Sequence, residues 1–153
     1  VYKFTESFPY LLNRVGVRMG DLFSRRIASY GVTLPMYRVM AALHEVPGQR
    51  LNDLADMTTI ELSTLSRLIG TMEKTKLVSR SRLENNARTV AISLTNAGEK
   101  LLQQLVPIAQ HFEAVAIGNL SPTALKVLKK NLSDIFLLLD KLEEELAASA
   151  DES

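Results

Sequence analysis

Between Leu62 and Lys74 one face carries Ser63, Thr64, Ser66, Arg67, Thr71 and Lys74. The apolar residues Leu65, Leu68, Ile69 and Met72 recur there at three- and four-residue spacing. That spacing is a helix with one buried face and one face of hydroxyls, a glycine (Gly70), one arginine and one lysine. Short hydroxyl side chains let a helix come close to a base-pair edge, and Ser, Thr and Arg all hydrogen-bond there. The amides at the start of such a helix also suit a phosphate. Catalytic chemistry would need other patterns. The chain has no phosphate loop, no metal-ligand cluster and no spaced nucleophile–base set. Glu143-Glu144-Glu145 fits a solvated helix end rather than an acid–base site, so an enzyme is not expected.

The helix that carries these residues needs a partner to seat it. Leu51, Leu54 and Ala55 mark a shorter amphipathic helix just before it, with a polar break at Thr58-Thr59 between Met57 and Ile60. The stretch Leu51 to Lys76 therefore has the outline of a helix-turn-helix. Two short amphipathic helices with a polar turn also occur in proteins that never meet DNA, so the next segment matters. Residues 76–95 read as a basic hairpin. Leu77 and Val78 suit one strand, and Val90, Ile92 and Leu94 alternate on the other, which implies one buried face. Glu84-Asn85-Asn86-Ala87 suits the turn between them. Arg80 and Arg82 stand two apart on one strand face, and Arg88 begins the return strand.

Charge separates along the chain. From Leu62 to Ile92 there are six basic residues (Arg67, Lys74, Lys76, Arg80, Arg82, Arg88) against Glu73 and Glu84, a net +4 in a chain of net +1. From Leu101 onward four lysines face eight acidic residues, a net −4. Positive charge thus gathers on the helix-turn-helix and hairpin, where a polyanion would dock.

These residues together resemble the winged helix-turn-helix of the MarR family of transcriptional regulators. The resemblance rests on Leu54-Ala55, Ile60, the run Ser63-Thr64-Leu65-Ser66-Arg67-Leu68-Ile69, Met72-Glu73, Leu77-Val78-Ser79-Arg80, Arg88 and the closing Leu94-Thr95-Asn96-Ala97-Gly98. It covers essentially the whole chain. It implies a mainly α fold with a small β-hairpin wing, and a single MarR-like domain over 1–153. Within that domain, 34–94 would be the DNA-binding lobe, and 8–30 with 96–146 a helical dimerisation region. It implies a homodimer on a palindromic double-stranded DNA operator, acting as a repressor that a small aromatic or anionic ligand releases. Ser63, Thr64, Ser66, Arg67 and Thr71 would face the major groove. Lys74, Arg80, Arg82, Asn86 and Arg88 would serve the wing and phosphates. The wing departs from the family at two positions. Asn86 stands where an Asp is usual, and Ala87 where a basic residue is frequent, which puts the wing's grip in question rather than the fold.

The flanking helices fit that reading. A helix from about Phe8 to Tyr30 has a stripe of Phe8, Leu11, Leu12, Val15, Met19, Leu22 and Phe23, ended by Gly31, after a ragged lead-in. Thr33 and Pro35 start a short, largely apolar helix to about Glu45. Arg50 is a poor cap for the helix after it. Thr95 caps a helix from Asn96 to about Ile117, with Pro107 expected to kink it. Ser121 and Pro122 start one last helix, whose stripe includes Leu132, Ile135, Phe136 and Leu139. The tail from Ala147 is expected to fray. Two copies would bury these stripes against each other, which makes Phe8, Leu11, Leu12, Val15, Leu132, Ile135, Phe136 and Leu139 the dimerisation candidates. By resemblance, an effector pocket would draw on Arg14, Arg18, Met36, Tyr37 and Met40. An arginine there would pair with a carboxylate and a tyrosine would meet a hydroxyl.

No cysteine is present, which removes disulfides, thiolate metal sites and thiol redox switching. The two histidines lie far apart in sequence, so neither a metal nor another cofactor is expected. The longest apolar run, Ile135 to Leu139, is far too short to span a bilayer, and no signal peptide is read, so a cytoplasmic location is expected. The alternative is a winged helix that binds protein. It would need no basic bias at the wing, and its binding would be blind to DNA sequence.

Overall fold

Helix α1, Phe8–Ile27, begins with Pro9 in its first turn, where a missing amide costs nothing. A computed structural model describes residues 1–83 and 86–152, without the side chains of Leu83, Asn86 and Ala87. The lead-in is ordered rather than ragged. Phe4–Glu6 forms a 3-10 turn, Ser7 Oγ donates to the Phe4 carbonyl at 2.7 Å, and the Phe4 ring packs 4.7 Å from the Tyr10 ring. After α1 a 3-10 turn, Ala28–Tyr30, leads to Gly31 at φ 71°, the expected glycine stop.

Helix α2, Leu34–Glu45, is capped as expected: Thr33 Oγ1 accepts from the Met36 amide at 3.3 Å. Val39, Met40, Ala42 and Leu43 are buried, so this short helix is the centre of the lobe. Phe23 and Ile27 of α1 and Leu102 and Leu105 of the helix after the wing join the same core. The core therefore extends beyond 34–94 into both flanking helices. By its contacts the chain divides into two compact units, Val1–Phe112 and Glu113–Ser153.

Helices α3, Leu51–Thr58, and α4, Leu62–Lys74, form the helix-turn-helix. Thr59 makes the turn in the left-handed region, at φ 58°. Leu54 is buried on α3, and Leu65, Ile69 and Met72 on α4. Strand β1, Val78–Leu83, then pairs antiparallel with β2, Asn86–Leu94. The expected turn includes Glu84 and Asn85, which lie outside the described residues.

One residue that sequence patterning passed over ties these parts together. Gln49 exchanges backbone hydrogen bonds with Ile92, at 3.0 and 2.7 Å, and so adds a single bridge to the outer edge of β2. Its buried amide group donates to the carbonyls of Ala42 and Val46, at 3.2 and 3.0 Å. The Ala42 carbonyl, in the last turn of α2, also accepts from the Val46 amide at 2.9 Å, and Val46 is the residue that ends the helix. One glutamine thus closes α2 and anchors the wing.

The wing ends on helix α5, Asn96–Ala116, which continues through Pro107. Thr95 is its cap: Oγ1 accepts from the Gly98 amide at 3.0 Å. The same hydroxyl donates to the Lys76 carbonyl at 2.6 Å, and the Thr95 amide donates to the Leu77 carbonyl at 3.1 Å. Gly98 is buried where α5 crosses this backbone. A Cβ there would overlap the Leu77 carbonyl oxygen and stand 2.9 Å from Leu94 Cδ2.

The second unit differs from expectation in two ways. The last helix is two helices, α6, Pro122–Leu138, and α7, Asp140–Asp151, separated at Leu139. At the junction the Leu142 amide donates back only three residues, to Leu139, which tightens the turn locally. The tail expected to fray from Ala147 is helical to Asp151, and Ser153 lies outside the described residues. Its alanines are strong helix formers, and Asp140 and Glu143 in the first turn of α7 favour its positive end. Ser121 caps α6 as expected, accepting from the Ala124 amide at 3.1 Å. Among the described residues no helix is long and apolar enough to cross a membrane.

The Gly98 contact carries a testable consequence. Gly98→Ala forces α5 away from the Leu77 carbonyl and should cost about 3 kcal/mol, as overpacked cores do. A urea midpoint unchanged from the parent would show that the crossing is not tight.

Candidate nucleic-acid interface

Helix α4 presents the predicted face. Ser63, Thr64, Ser66, Arg67, Thr71 and Lys74 are all exposed, while the opposite face enters the core. Thr71 Oγ1 bonds back to the Arg67 carbonyl at 3.2 Å, so its proton is spent on its own helix.

The expectation that the first amides of α4 are open to a phosphate is corrected. Glu61, the cap residue, already holds them. Its Oε1 accepts from the Ser63 amide at 3.0 Å and its Oε2 from the Thr64 amide at 3.1 Å. It also takes both hydroxyls, from Ser63 Oγ at 2.7 and 2.8 Å and from Thr64 Oγ1 at 2.9 Å. The Ser63 hydroxyl, the Ser63 amide, and then the Thr64 hydroxyl and amide hold the Glu61 carboxyl at about 2, well below the usual 4.5. Sequence reasoning left Glu61 out because glutamate is not among the favoured caps. The signal that could have found it is a carboxylate two and three residues before a Ser-Thr pair at a helix start.

The wing carries the arginines on an unexpected face. Cross-strand partners share a face, and Arg80 pairs with Ile92 and Arg82 with Val90. The two arginines therefore continue the face that Val78, Ile92 and Leu94 begin. Near the core that face is covered, with Ile92 at 2% exposure; farther out it is open, with Val90 at 37%. Strict burial of the alternating residues thus holds only at the base of the hairpin. The register shifts between Arg82 and Leu83, so Ala87, Arg88 and Thr89 fall in a bulge. Arg88 is exposed there. Asn86 opens β2, and its side chain lies outside the described residues. Arg80 Nε lies 3.7 Å from Glu73 Oε1, a weak exposed pair that draws the wing back to the end of α4.

The five residues suggested for an effector sit on α1 and α2. Met40 is wholly enclosed in the core. Met36 and Tyr37 are half-buried against it, with the Tyr37 ring 4.8 Å from Phe23. Arg14 and Arg18 are exposed on α1, and Arg14 lies over the Tyr10 ring at 5.3 Å. A groove of about 490 Å³ does run along α1 and α2, but Asn13, Gly16, Asp21, Leu34 and Arg38 line it instead. Among the described residues no group of three metal-ligating side chains occurs.

The dimerisation candidates are apolar and unprotected. In the first unit Phe8, Leu11, Leu12 and Val15 are about half exposed. In the second, Leu132, Phe136 and Leu139 are exposed, Phe136 at 67%, and Ile135 is half-buried.

Comparison with known proteins agrees with this geometry. Residues 32–90 match the model of the MarR family. The transcriptional regulator HosA of Escherichia coli is 28% identical over 116 residues, spanning 72% of this chain and 86% of the relative. Among solved structures, Bordetella bronchiseptica BpsR superposes with a TM-score of 0.79 at 26% identity, over 88% of this chain and 96% of its own. That protein's DNA binding is regulated by 6-hydroxynicotinic acid. A MarR family regulator from Silicibacter pomeroyi superposes with a TM-score of 0.81 at 27% identity, over 90% and 91%. Over residues 32–90, and in its fold, the chain is thus similar to the winged helix-turn-helix regulators of the MarR family.

The Glu61 network has a pH signature. Its folded pKa lies below the ordinary value, so the cap stabilises the fold above about 4.5 and that contribution is lost as pH falls through about 2. A carbon-detected NMR titration should place the Glu61 carboxyl near the lower value. Titration at the ordinary value would mean that the hydroxyls bond elsewhere.

Proposed function

We propose that the chain is a homodimeric, sequence-specific DNA-binding repressor. The observation that carries this is the exposed polar face of α4, with Arg67 at its middle and the arginines of the wing directly after it. In this reading Ser63, Thr64, Ser66, Arg67 and Thr71 enter the major groove. Lys74, Arg80, Arg82 and Arg88 meet phosphates or the minor groove, with Asn86 shaping the wing. The exposed apolar residues at Phe8, Leu11, Leu12 and Val15, and at Leu132, Ile135, Phe136 and Leu139, support pairing with a second copy. Twofold symmetry then sets two copies of α4 about one DNA turn apart, opposite a palindrome. A dimer seated there obstructs RNA polymerase.

Release by a small aromatic acid is the regulation we infer. Its support is the similarity to BpsR, which responds to 6-hydroxynicotinic acid. The residues offered for it are Arg14, Arg18, Met36, Tyr37 and Met40, of which Met40 would need the core to open. A ligand there acts only by binding one spacing of the α4 pair better than the other.

Arg67→Ala tests the reading. Direct titration with an operator selected by the parent protein should show a loss of about 1–3 kcal/mol, the worth of a bidentate contact to a guanine. Unchanged affinity would remove α4 from the recognition surface.

A further inference from the structure

Resting on the reading of α4 as the recognition helix, we infer that Glu61 is a specificity-determining residue that makes the start of this helix read exocyclic amino groups of bases. The class of group recognised is the cytosine 4-amino or the adenine 6-amino in the major groove.

An ionised carboxylate only accepts, so the Ser63 and Thr64 hydroxyls must be the donors in their contacts with Glu61. Each hydroxyl has a single proton, and it is spent. What Ser63 and Thr64 still offer outward is lone pairs. Their amides are spent on the same carboxylate. Glu61 itself is exposed; its roughly four lone-pair sites are met by these four donors, so what it adds outward is its negative charge. The first turn of α4 is therefore a cluster of acceptors with a negative charge.

A phosphate has only acceptors and the same charge, so this cluster rejects it. Among groups in a DNA groove, the cluster suits a donor. The major-groove donors are the amino groups of cytosine and adenine, from which the free lone pairs of the Ser63 and Thr64 hydroxyls can accept beside the Glu61 charge. Arg67 stands about one turn farther along the exposed face and offers the opposite chemistry, donors for guanine. One turn of helix rises about 5.4 Å, or one to two base-pair steps. The recognised half-site should therefore hold an amino-bearing base within one or two steps of a guanine.

The energetic role differs from that of the arginines. They draw the protein to any DNA, while Glu61 penalises any register that puts a phosphate or a bare acceptor at the start of α4. Charge of the wrong sign in a basic surface buys discrimination at some loss of affinity.

Selection from a randomised duplex library tests this, using the full chain as the parent, as Glu61→Gln and as Glu61→Ser. Serine is a favoured cap, so the second variant keeps the helix while removing the carboxylate; thermal melts confirm that both fold. The parent should enrich cytosine or adenine at one half-site position. Glu61→Gln should move that position toward adenine, which a glutamine contacts through two bonds. Glu61→Ser should flatten it about tenfold, with the neighbouring guanine retained in both. In the parent's site, replacing the enriched cytosine by 2-pyrimidinone, or adenine by purine, deletes only the amino group and should weaken binding about tenfold. A parent that enriches a sequence which neither variant alters would overturn the role of Glu61 and leave α4 as the reader. A parent that enriches no sequence would overturn both.

Discussion

Thr95 and Gly98 form the joint on which the DNA-facing surface depends. The recognition helix ends at Lys74, the wing starts at Val78, and α5 starts at Asn96. All three are held within one turn of chain by the Thr95 hydroxyl on Lys76, the Thr95 amide on Leu77 and the bare Cα of Gly98 against the Leu77 carbonyl. Each hydrogen bond contributes only about 1 kcal/mol. Their value lies in geometry, because they leave the wing little freedom to rotate about the end of α4. Lys76 accepts a left-handed conformation, φ 64°, to make the joint. Gln49 braces the hairpin from its other edge, through Ile92 and the carbonyls of Ala42 and Val46 at the end of α2. Helix and wing can therefore present their arginines in one fixed arrangement.

Much of this was legible in the residues. Apolar spacing placed α1 to α5, and Thr33, Thr95 and Ser121 marked helix starts because a short hydroxyl at that point satisfies an amide. The exposed face of α4 followed from the same periodicity. What stayed hidden depends on partners distant in sequence or on context. Gln49 looks like any loop glutamine until Ile92 is beside it. The burial of the wing depends on how far the hairpin projects, which alternation does not encode. The break at Leu139 has no proline or glycine to announce it. The tail after Ala147 looked too polar to hold, yet its alanines and the acidic first turn of α7 favour helix.

The electrostatics of the site divide affinity from selectivity. Net positive charge over 62–92 supplies attraction to any duplex. Discrimination requires groups that punish the wrong base, the role inferred for Glu61, which five contacts set at the tip of α4. A regulator needs both. Without the first it never finds DNA, and without the second it is lost among nonspecific sites.

Hydroxyl-radical footprinting of the purified protein on DNA flanking its own gene, over a series of salt concentrations, tests the central claim most directly. Two protected half-sites of a palindrome about one helical turn apart are expected, with outer protection from the wings and persistence at moderate salt. Diffuse protection that vanishes with modest salt would leave only charge attraction and would contradict a sequence-reading dimer.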